Sequence, residues 1–146
     1  MRSVVVDANV AAKWFLPASG EPLTSEAADL FERFSIGQLG MIVPDLFWAE
    51  LGSVFWKAIR QSRYTKVAAE SVLRDLKERR VRTVPSLAVL ETAFDIAVLF
   101  DRSVYDALYV ALASVAETIF VTADERLVNA LGSRLPVRWL GAAHLI

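Results

Sequence analysis

Residues 3–7 read Ser3-Val4-Val5-Val6-Asp7, and this stretch decides the fold. A continuous run of β-branched residues is typical of a strand buried on both faces of a parallel sheet. Four further short segments predicted as strands, at 41–43, 81–84, 119–121 and 137–139, alternate with helical patterns. Strands that alternate with helices imply right-handed crossovers and a parallel sheet with helices on both faces. We therefore predict an α/β fold, a three-layer α/β/α domain with a central, mainly parallel sheet of about five short strands.

The helical patterns are bounded by capping residues and prolines. Asp45 is the expected N-cap of a helix of about 17 residues, and Thr65 is the expected cap of a helix that ends near Arg79. Ser103 and Asp106 form a variant of the capping box before the helix at 107–115. The other helices are predicted over 8–15, 24–34, 85–100 and from Asp124 or Thr122 to Leu131.

Length and composition limit the possible chemistry. The 146 residues fit one domain, 1–146, and 55% of them are hydrophobic, which excludes a disordered chain. The absence of cysteine excludes disulfides, thiol catalysis and Cys-ligated zinc, and the single histidine, His144, argues against a Ser-His-Asp triad. No apolar run reaches the roughly 18 residues of a membrane helix, and no secretory signal pattern is present, so we expect a cytoplasmic protein without membrane contact.

The net charge of -1 hides an uneven distribution. Residues 57–82 carry nine Lys and Arg against three acidic residues, whereas the remainder carries seven basic and fourteen acidic residues. This basic block is either a solvated helical face or a strip that attracts phosphate groups toward acids held elsewhere.

Four acidic residues are placed to converge at one edge of the sheet, because ligands of such folds bind at the carboxyl ends of the strands. Asp7 follows the first strand, Asp124 follows the fourth, and Asp106 lies in the first turn of its helix. Each of these three has an alternative role as a helix cap. Glu50 is harder to explain in that way, because its helix is otherwise almost wholly apolar and a lone carboxylate there needs a partner, a proton or a metal ion.

Four segments, in this order, resemble the motifs of PIN-domain proteins of the VapC toxin family: VVVDANVAAKWF at 4–15, PDLFWAE at 44–50, SVYDALYVALA at 103–113 and VTADERL at 121–127. That family consists of metal-dependent ribonucleases, the toxin halves of toxin–antitoxin pairs. The resemblance implies a PIN domain that cleaves RNA to leave 5′-phosphate and 3′-hydroxyl ends.

The resemblance also implies the site residues. The positions that match the family's acids are Asp7, Glu50, Asp106 and Asp124, with Asn9 and Thr122 as supporting polar residues. A cluster of acids repels phosphate unless cations are bound, and Mg²⁺ prefers oxygen ligands. Mn²⁺ suits the same ligands. We expect Asp7 and Asp106 to be the principal metal ligands. Asp124 and Glu50 are expected to act through water or to orient the attacking water, with Asp124 included among the metal ligands.

Basic and aromatic residues near these motifs suggest contacts with RNA and with partners. Lys13, Arg63 and Lys66 are candidate RNA contacts, each with the alternative of a plain surface side chain. Arg102 and Arg126 have the same two interpretations, and Tyr105 and Tyr109 either stack on bases or pack in the core, which is favoured for Tyr109. The resemblance implies an RNA substrate, a cognate VapB-type antitoxin and a homodimer. Two predicted helices carry many large apolar residues, of which some are expected to lie in the core and the rest to form a groove for the antitoxin: Trp14, Phe15, Phe47, Trp48, Phe55 and Trp56.

Two other functions are compatible with the sequence. A strand that ends in Asp7 suits a phosphatase with an aspartate nucleophile, although such enzymes commonly have a second Asp two residues later, where Asn9 stands here. A non-catalytic PIN-like binding module is the second alternative, and the presence of all four acids argues against it.

Overall fold

The computed structural model describes residues 2–18, 20–79 and 81–146. Its five strands form one sheet in which every pairing is parallel. The strands are β1 (Arg2–Val6), β2 (Leu39–Pro44), β3 (Arg82–Val84), β4 (Phe120–Thr122) and β5 (Val137–Trp139). Their spatial order is β3-β2-β1-β4-β5. The chain therefore builds outward from β1 in one direction and then in the other, which places the topological switch point between β1 and β4.

Helices flank this sheet, and the predicted α/β architecture is confirmed. The α-helices of the described residues are α1 (Ala8–Ala12), α2 (Thr24–Ser35), α3 (Leu46–Arg60), α4 (Lys66–Glu78), α5 (Leu90–Phe100), α6 (Val104–Val115) and α7 (Glu125–Leu131). Helix α6 packs on β1 and β2, and α5 packs on α6. In the part of the chain that the structure describes, no helix has the length and apolar character needed to cross a membrane.

Buried apolar side chains fix the central strands and α6. Val4, Val5 and Val6 are at most 2% exposed, and all six residues of β2 are buried. Seven consecutive residues of α6, from Ala107 to Ala113, are also buried. The continuous apolar run of β1 therefore reflects burial of both faces of the strand, as predicted.

Two predicted helices end or break earlier than expected. The helix predicted over 8–15 ends at Ala12, and the aromatic residues after it lie in a turn. The segment predicted as one helix over 85–100 begins as a 3₁₀ turn, Ser86–Val89, before α5 starts at Leu90. Helix α6 begins at Val104, earlier than predicted, because the Ser103 hydroxyl already accepts a hydrogen bond from the Asp106 backbone N–H at 3.1 Å.

The predicted N-cap role of Asp45 is wrong. Its backbone angles are helical, with φ -59° and ψ -26°, and its carboxylate makes no hydrogen bond to the first turn of α3. The carboxylate instead accepts hydrogen bonds from the backbone N–H and the hydroxyl of Ser86. Asp45 therefore ties the start of α3 to the turn after β3. By contrast, Thr65 caps α4 as predicted, accepting from the Ala68 N–H at 3.1 Å.

Candidate active site

The four predicted acids line one cavity of about 370 Å³ at the carboxyl edge of the sheet. Asp7 follows β1, Glu50 lies in the second turn of α3, Asp106 lies in the first turn of α6, and Asp124 precedes α7. Four separate elements thus bring carboxylates to one place, next to the switch point between β1 and β4.

Asp7 is held by both of its carboxylate oxygens. Oδ1 accepts a hydrogen bond from the Asn9 backbone N–H at 3.2 Å, and Oδ2 accepts one from the Thr122 hydroxyl at 2.7 Å. Thr122 is fully buried at the end of β4, and its Oγ1 also accepts from the Asp124 N–H at 3.1 Å. The Thr122 side chain therefore links two of the four acids, whereas Asn9 supports Asp7 through its backbone.

Asp7 and Asp124 also cap helices. Asp7 is the N-cap of α1 through the bond to Asn9. The Asp124 Oδ1 accepts from the Arg126 and Leu127 N–H groups at 3.0 and 3.2 Å, which caps α7. For these two residues, the capping role and the place in the cavity coexist.

Glu50 has a partner that the sequence did not identify. The Tyr109 hydroxyl donates a hydrogen bond to Glu50 Oε1 at 2.6 Å, across the gap between α6 and α3. The apolar helix around Glu50 correctly predicted that its carboxylate needed a partner. Tyr109 also lies one turn after Asp106, on the same helix face, and that spacing was the available signal.

Burial and the repulsion between like charges raise the pKa values of three of the acids, Asp7, Glu50 and Asp106. Burial raises the pKa of Asp7 from 3.8 to about 6, and the negative charges of Glu50 and Asp106 act in the same direction. Burial likewise raises the pKa of Glu50, although the bond from Tyr109 opposes this effect. Burial raises the pKa of Asp106, and the negative charge of Asp124 raises it further. The hydrogen bond with Ser103 and the positive charge of Arg102 lower it in part. The shared influence shows that the carboxylates are electrostatically coupled.

The donor set suits a hard cation. Carboxylate and hydroxyl oxygens surround the cavity, and oxygen ligands are those that Mg²⁺ and Mn²⁺ prefer. Among the residues described, no three His, Asp or Glu side chains are placed to hold one ion together. Mg²⁺ commonly binds proteins through one or two carboxylates and keeps several waters.

The three candidate RNA contacts, Lys13, Arg63 and Lys66, differ in whether they line the cavity and in whether their charges are paired. Arg63 lines the cavity of the acids, and its position is set by the end of α3. There Ser62 adopts φ 56°, and the Arg63 N–H bonds back to the Ala58 carbonyl at 2.8 Å. This is the Schellman arrangement, which turns the chain sharply after a helix. Among the described residues of the basic block, Arg63 is thereby the one that the fold brings to the acids.

Lys13 also lines the cavity, but its charge is already paired. Its Nζ donates to Glu21 Oε2 at 3.0 Å and to the Pro22 carbonyl at 3.2 Å, and the side chain is only 11% exposed. Lys66 lies outside the cavity lining and pairs with Glu70 on the surface of α4 at 2.8 Å.

The basic block does not form one track at the site. Helix α4 starts near Arg63, and its far end leads to Arg79 and Arg82. These two arginines line a hollow at the amino ends of β1 and β2, on the opposite edge of the sheet. The charges that are close in sequence are thus spread from one edge of the sheet to the other.

The six aromatic residues that were predicted to divide between the core and a groove have separate environments. Phe47 and Phe55 are core residues. Trp14 stacks on Phe31 with ring centroids 4.8 Å apart, beside Phe15. Trp48 donates to the Thr83 hydroxyl at 3.0 Å, and Trp56 is 58% exposed and lies under Arg60. Most of these rings therefore stabilise the fold.

Comparison with known families agrees with this geometry. The family model of the PIN domain matches residues 4–131, which is most of the chain. The chain belongs to the PIN domain family. The resemblance carried by the four motifs is thereby confirmed, and the matched region contains every acid of the cavity.

Solved structures share the PIN fold at low sequence identity. The crystal structure of PAE2754 from Pyrobaculum aerophilum is 19% identical, with a TM-score of 0.70, over 99% of this chain and 88% of that chain. A toxin–antitoxin complex from Klebsiella pneumoniae is 15% identical, with a TM-score of 0.64, over 92% and 95%. VapBC2 from Rickettsia felis, bound to a DNA fragment from its promoter, is 12% identical, with a TM-score of 0.63, over 94% and 98%. A comparison with curated proteins found no significant match.

Proposed function

We propose that this PIN domain is a metal-dependent endoribonuclease, the toxin of a VapBC-type toxin–antitoxin pair, acting as a single domain in the cytoplasm. The observation that carries the proposal is the convergence of Asp7, Glu50, Asp106 and Asp124 on one cavity. Burial and like charge raise the pKa values of three of these acids. Such a cluster destabilises the fold at neutral pH, and a bound cation removes that cost.

Asp7 and Asp106 would hold Mg²⁺ or Mn²⁺ directly, and Asp124 would contribute directly or through water. When bound, the ion lowers the pKa of a coordinated water and neutralises charge on the phosphate. Thr122 and the Asn9 backbone keep the Asp7 carboxylate in place through their two hydrogen bonds. Glu50 would orient the attacking water and accept its proton.

Arg63 would bind the phosphate of the RNA, because it is a cation that lines the same cavity as the acids. A guanidinium group can contact two phosphate oxygens at once. Lys13 would join it only when the phosphate displaces Glu21 from its ammonium group.

The proposed antitoxin would cover the cavity with an apolar segment. A shallow hollow continues from the cavity along α3, where Leu46, Ala49 and Val54 lie beside Glu50 and Tyr105. Two structures with this fold are toxin–antitoxin assemblies, one from Klebsiella pneumoniae and the VapBC2 complex from Rickettsia felis. An apolar segment in this hollow would block RNA from the acids.

The proposed homodimer is supported by an apolar stripe on α5 and the turn before it. Leu87, Leu90, Phe94 and Val98 are exposed and recur at helical spacing. A continuous exposed apolar surface on a small protein is typical of an interface. A stripe that meets its own copy satisfies the self-complementarity of a two-fold dimer.

The phosphatase alternative is less well supported. Asn9 occupies the position where such enzymes commonly have a second aspartate, and the family model that matches the chain is that of the PIN domain.

The test is cleavage of labelled single-stranded RNA by purified protein with Mg²⁺ or Mn²⁺. Asp7→Asn and Asp106→Asn should each nearly abolish cleavage, since Asn is similar in shape but a poorer ligand for the ion. Asp29→Asn, at an exposed position of α2, is the matched control and should cleave at the wild-type rate. Wild-type rates in the Asp7 or Asp106 variants would refute the proposal, as would cleavage that is insensitive to a chelator. Binding of RNA without cleavage would favour the non-catalytic module.

A further inference from the structure

Tyr109 is the polar exception in the buried stretch of α6. It is 2% exposed, and its hydroxyl is the only polar side-chain group among the seven consecutive buried residues from Ala107 to Ala113. Burying a hydroxyl is costly unless it finds a hydrogen-bond partner. Glu50 Oε1 supplies that partner at 2.6 Å.

The position of the Tyr109 hydroxyl is fixed independently of Glu50. The phenol ring stacks on the ring of Phe120 in β4, with centroids 5.0 Å apart and planes 17° apart. Phe120 is itself 1% exposed. Because the core holds the ring, the hydroxyl is a rigid donor, and the more flexible Glu50 side chain adapts to it.

Glu50 needs such a restraint. Its side chain has three rotatable torsions, it is partly exposed at the rim of the cavity, and it faces the negative charge of Asp106. Repulsion favours rotamers that move the carboxylate toward solvent. The bond from Tyr109 opposes this movement and occupies only Oε1, while Oε2 accepts no hydrogen bond from the residues described.

We propose that Tyr109 is a positioning residue, which holds the Glu50 carboxylate at the cavity so that its second oxygen faces the reacting water. This inference rests on the proposed nuclease function. Burial raises the pKa of the Tyr109 phenol far above neutrality, so the hydroxyl stays protonated and remains a donor. Tyr109 therefore acts through Glu50 and transfers no proton itself.

The kinetic test compares Tyr109→Phe with Tyr64→Phe. The first variant keeps the ring that stacks on Phe120 and removes only the hydroxyl. The second likewise keeps its ring, which packs on Phe55 with centroids 5.4 Å apart, and removes the hydroxyl of a tyrosine that is absent from the cavity lining. We expect Tyr109→Phe to lower kcat by about 10- to 100-fold, the range for a lost hydrogen bond to a charged group, with an almost unchanged KM for RNA. Tyr64→Phe should retain the wild-type kcat. A wild-type kcat in Tyr109→Phe would overturn the proposal.

The background variant Glu50→Ala shows whether Tyr109 acts through Glu50. In this background, adding Tyr109→Phe should cause no further loss of the residual cleavage rate, because the carboxylate to be positioned is already absent. An equal loss in both backgrounds would indicate a merely structural role and would overturn the proposal.

A double-mutant cycle of unfolding stability, measured on the metal-free protein, tests the interaction between Tyr109 and Glu50 in the absence of RNA. In the wild type, Tyr109→Phe should lower the urea midpoint, since it removes a hydrogen bond to a carboxylate. In Glu50→Ala it should leave the midpoint unchanged or raise it, because the buried hydroxyl then lacks its acceptor. If wild-type protein cleaves no RNA, the proposed function fails, and this cycle alone decides whether Tyr109 fixes Glu50. If Tyr109→Phe shifted the urea midpoint equally in the wild type and in Glu50→Ala, Tyr109 would not act on Glu50 and the proposal would be overturned.

Discussion

Substitution of Asp7 by Asn should stabilise the metal-free protein at neutral pH while it removes activity. Asp7 is partly buried at the end of β1, and desolvation raises its pKa from 3.8 to about 6 in the folded protein. The unfolded chain therefore releases the proton at lower pH than the folded chain does. Stability then falls as pH rises from about 4 through 6, and the full contribution of the protonated carboxyl is present only below that window.

The magnitude follows from the two pKa values. Their difference corresponds to about 3 kcal/mol between the acidic and the neutral end of the window, at about 1.4 kcal/mol for each pH unit. Asn keeps an oxygen that can accept from the Asn9 N–H, but it changes the bond with Thr122, at a cost of about 1 kcal/mol. We therefore expect Asp7→Asn to be more stable than the wild type by about 2 kcal/mol at pH 7.5 and slightly less stable at pH 4.

The assay is urea unfolding of both proteins in a chelator at several pH values between 4 and 8. The decisive quantity is the difference in unfolding free energy between the two proteins, which should grow with pH across the window. Asp29→Asn removes an exposed carboxylate from α2 and controls for the general effect of net charge. A wild type and an Asp7→Asn variant whose stability curves run parallel from pH 4 to 8 would refute the reasoning that burial strains this carboxylate.

Three further predictions concern the metal, the RNA and the dimer. Millimolar Mg²⁺ or Mn²⁺ should raise the melting temperature of the wild type at pH 7.5 but not that of an Asp7→Asn/Asp106→Asn double variant, measured by scanning calorimetry; an unchanged wild-type transition would contradict a cation site. In an inactive Asp106→Asn background, Arg63→Glu should weaken RNA binding and flatten its salt dependence, whereas Lys66→Glu should change little, because Arg63 lines the cavity and Lys66 does not. If Arg63→Glu and Lys66→Glu weakened RNA binding equally across a series of salt concentrations, the basic block as a whole would be the RNA-binding surface. Phe94→Asp with Val98→Asp should yield monomers in analytical ultracentrifugation, whereas Val67→Asp, at an exposed apolar position of α4, should not; an unaltered mass would place the dimer interface elsewhere.

The sheet was predictable because it depends on local patterns, whereas the four acids were singled out by the motifs that resemble the PIN-domain family. Each buried strand is a short apolar run, and its carboxyl end marks the edge where ligands bind. Boundaries were less predictable. The 3₁₀ turn at Ser86–Val89 depends on the side chain of Asp45, which is 41 residues away in the chain, and no periodicity within 85–100 records that contact.

The environment of the basic residues needed the three-dimensional structure. Helix α4 has 13 residues and is therefore about 20 Å long, so charges at its two ends serve different edges of the sheet. The pairing of Lys13 with Glu21 depends on how the segment after α1 folds back, and the bond from Tyr109 to Glu50 depends on how α6 lies against α3. Contacts between elements of this kind leave no periodic signal in the sequence.

The topology explains why the capping and site roles of an acid coincide at Asp7 and Asp124 but not at Asp45. All three follow a strand and precede a helix, a position at which backbone N–H groups favour a carboxylate. Asp7 follows β1 and Asp124 follows β4, and these neighbouring strands flank the switch point of the sheet. There the flanking segments diverge and leave a cavity that the carboxylates reach. Asp45 follows β2, one strand further out, where Ser86 in the turn after β3 holds its carboxylate at an exposed position. Strand order, which the local sequence does not encode, therefore decides which of these three aspartates reach the cavity.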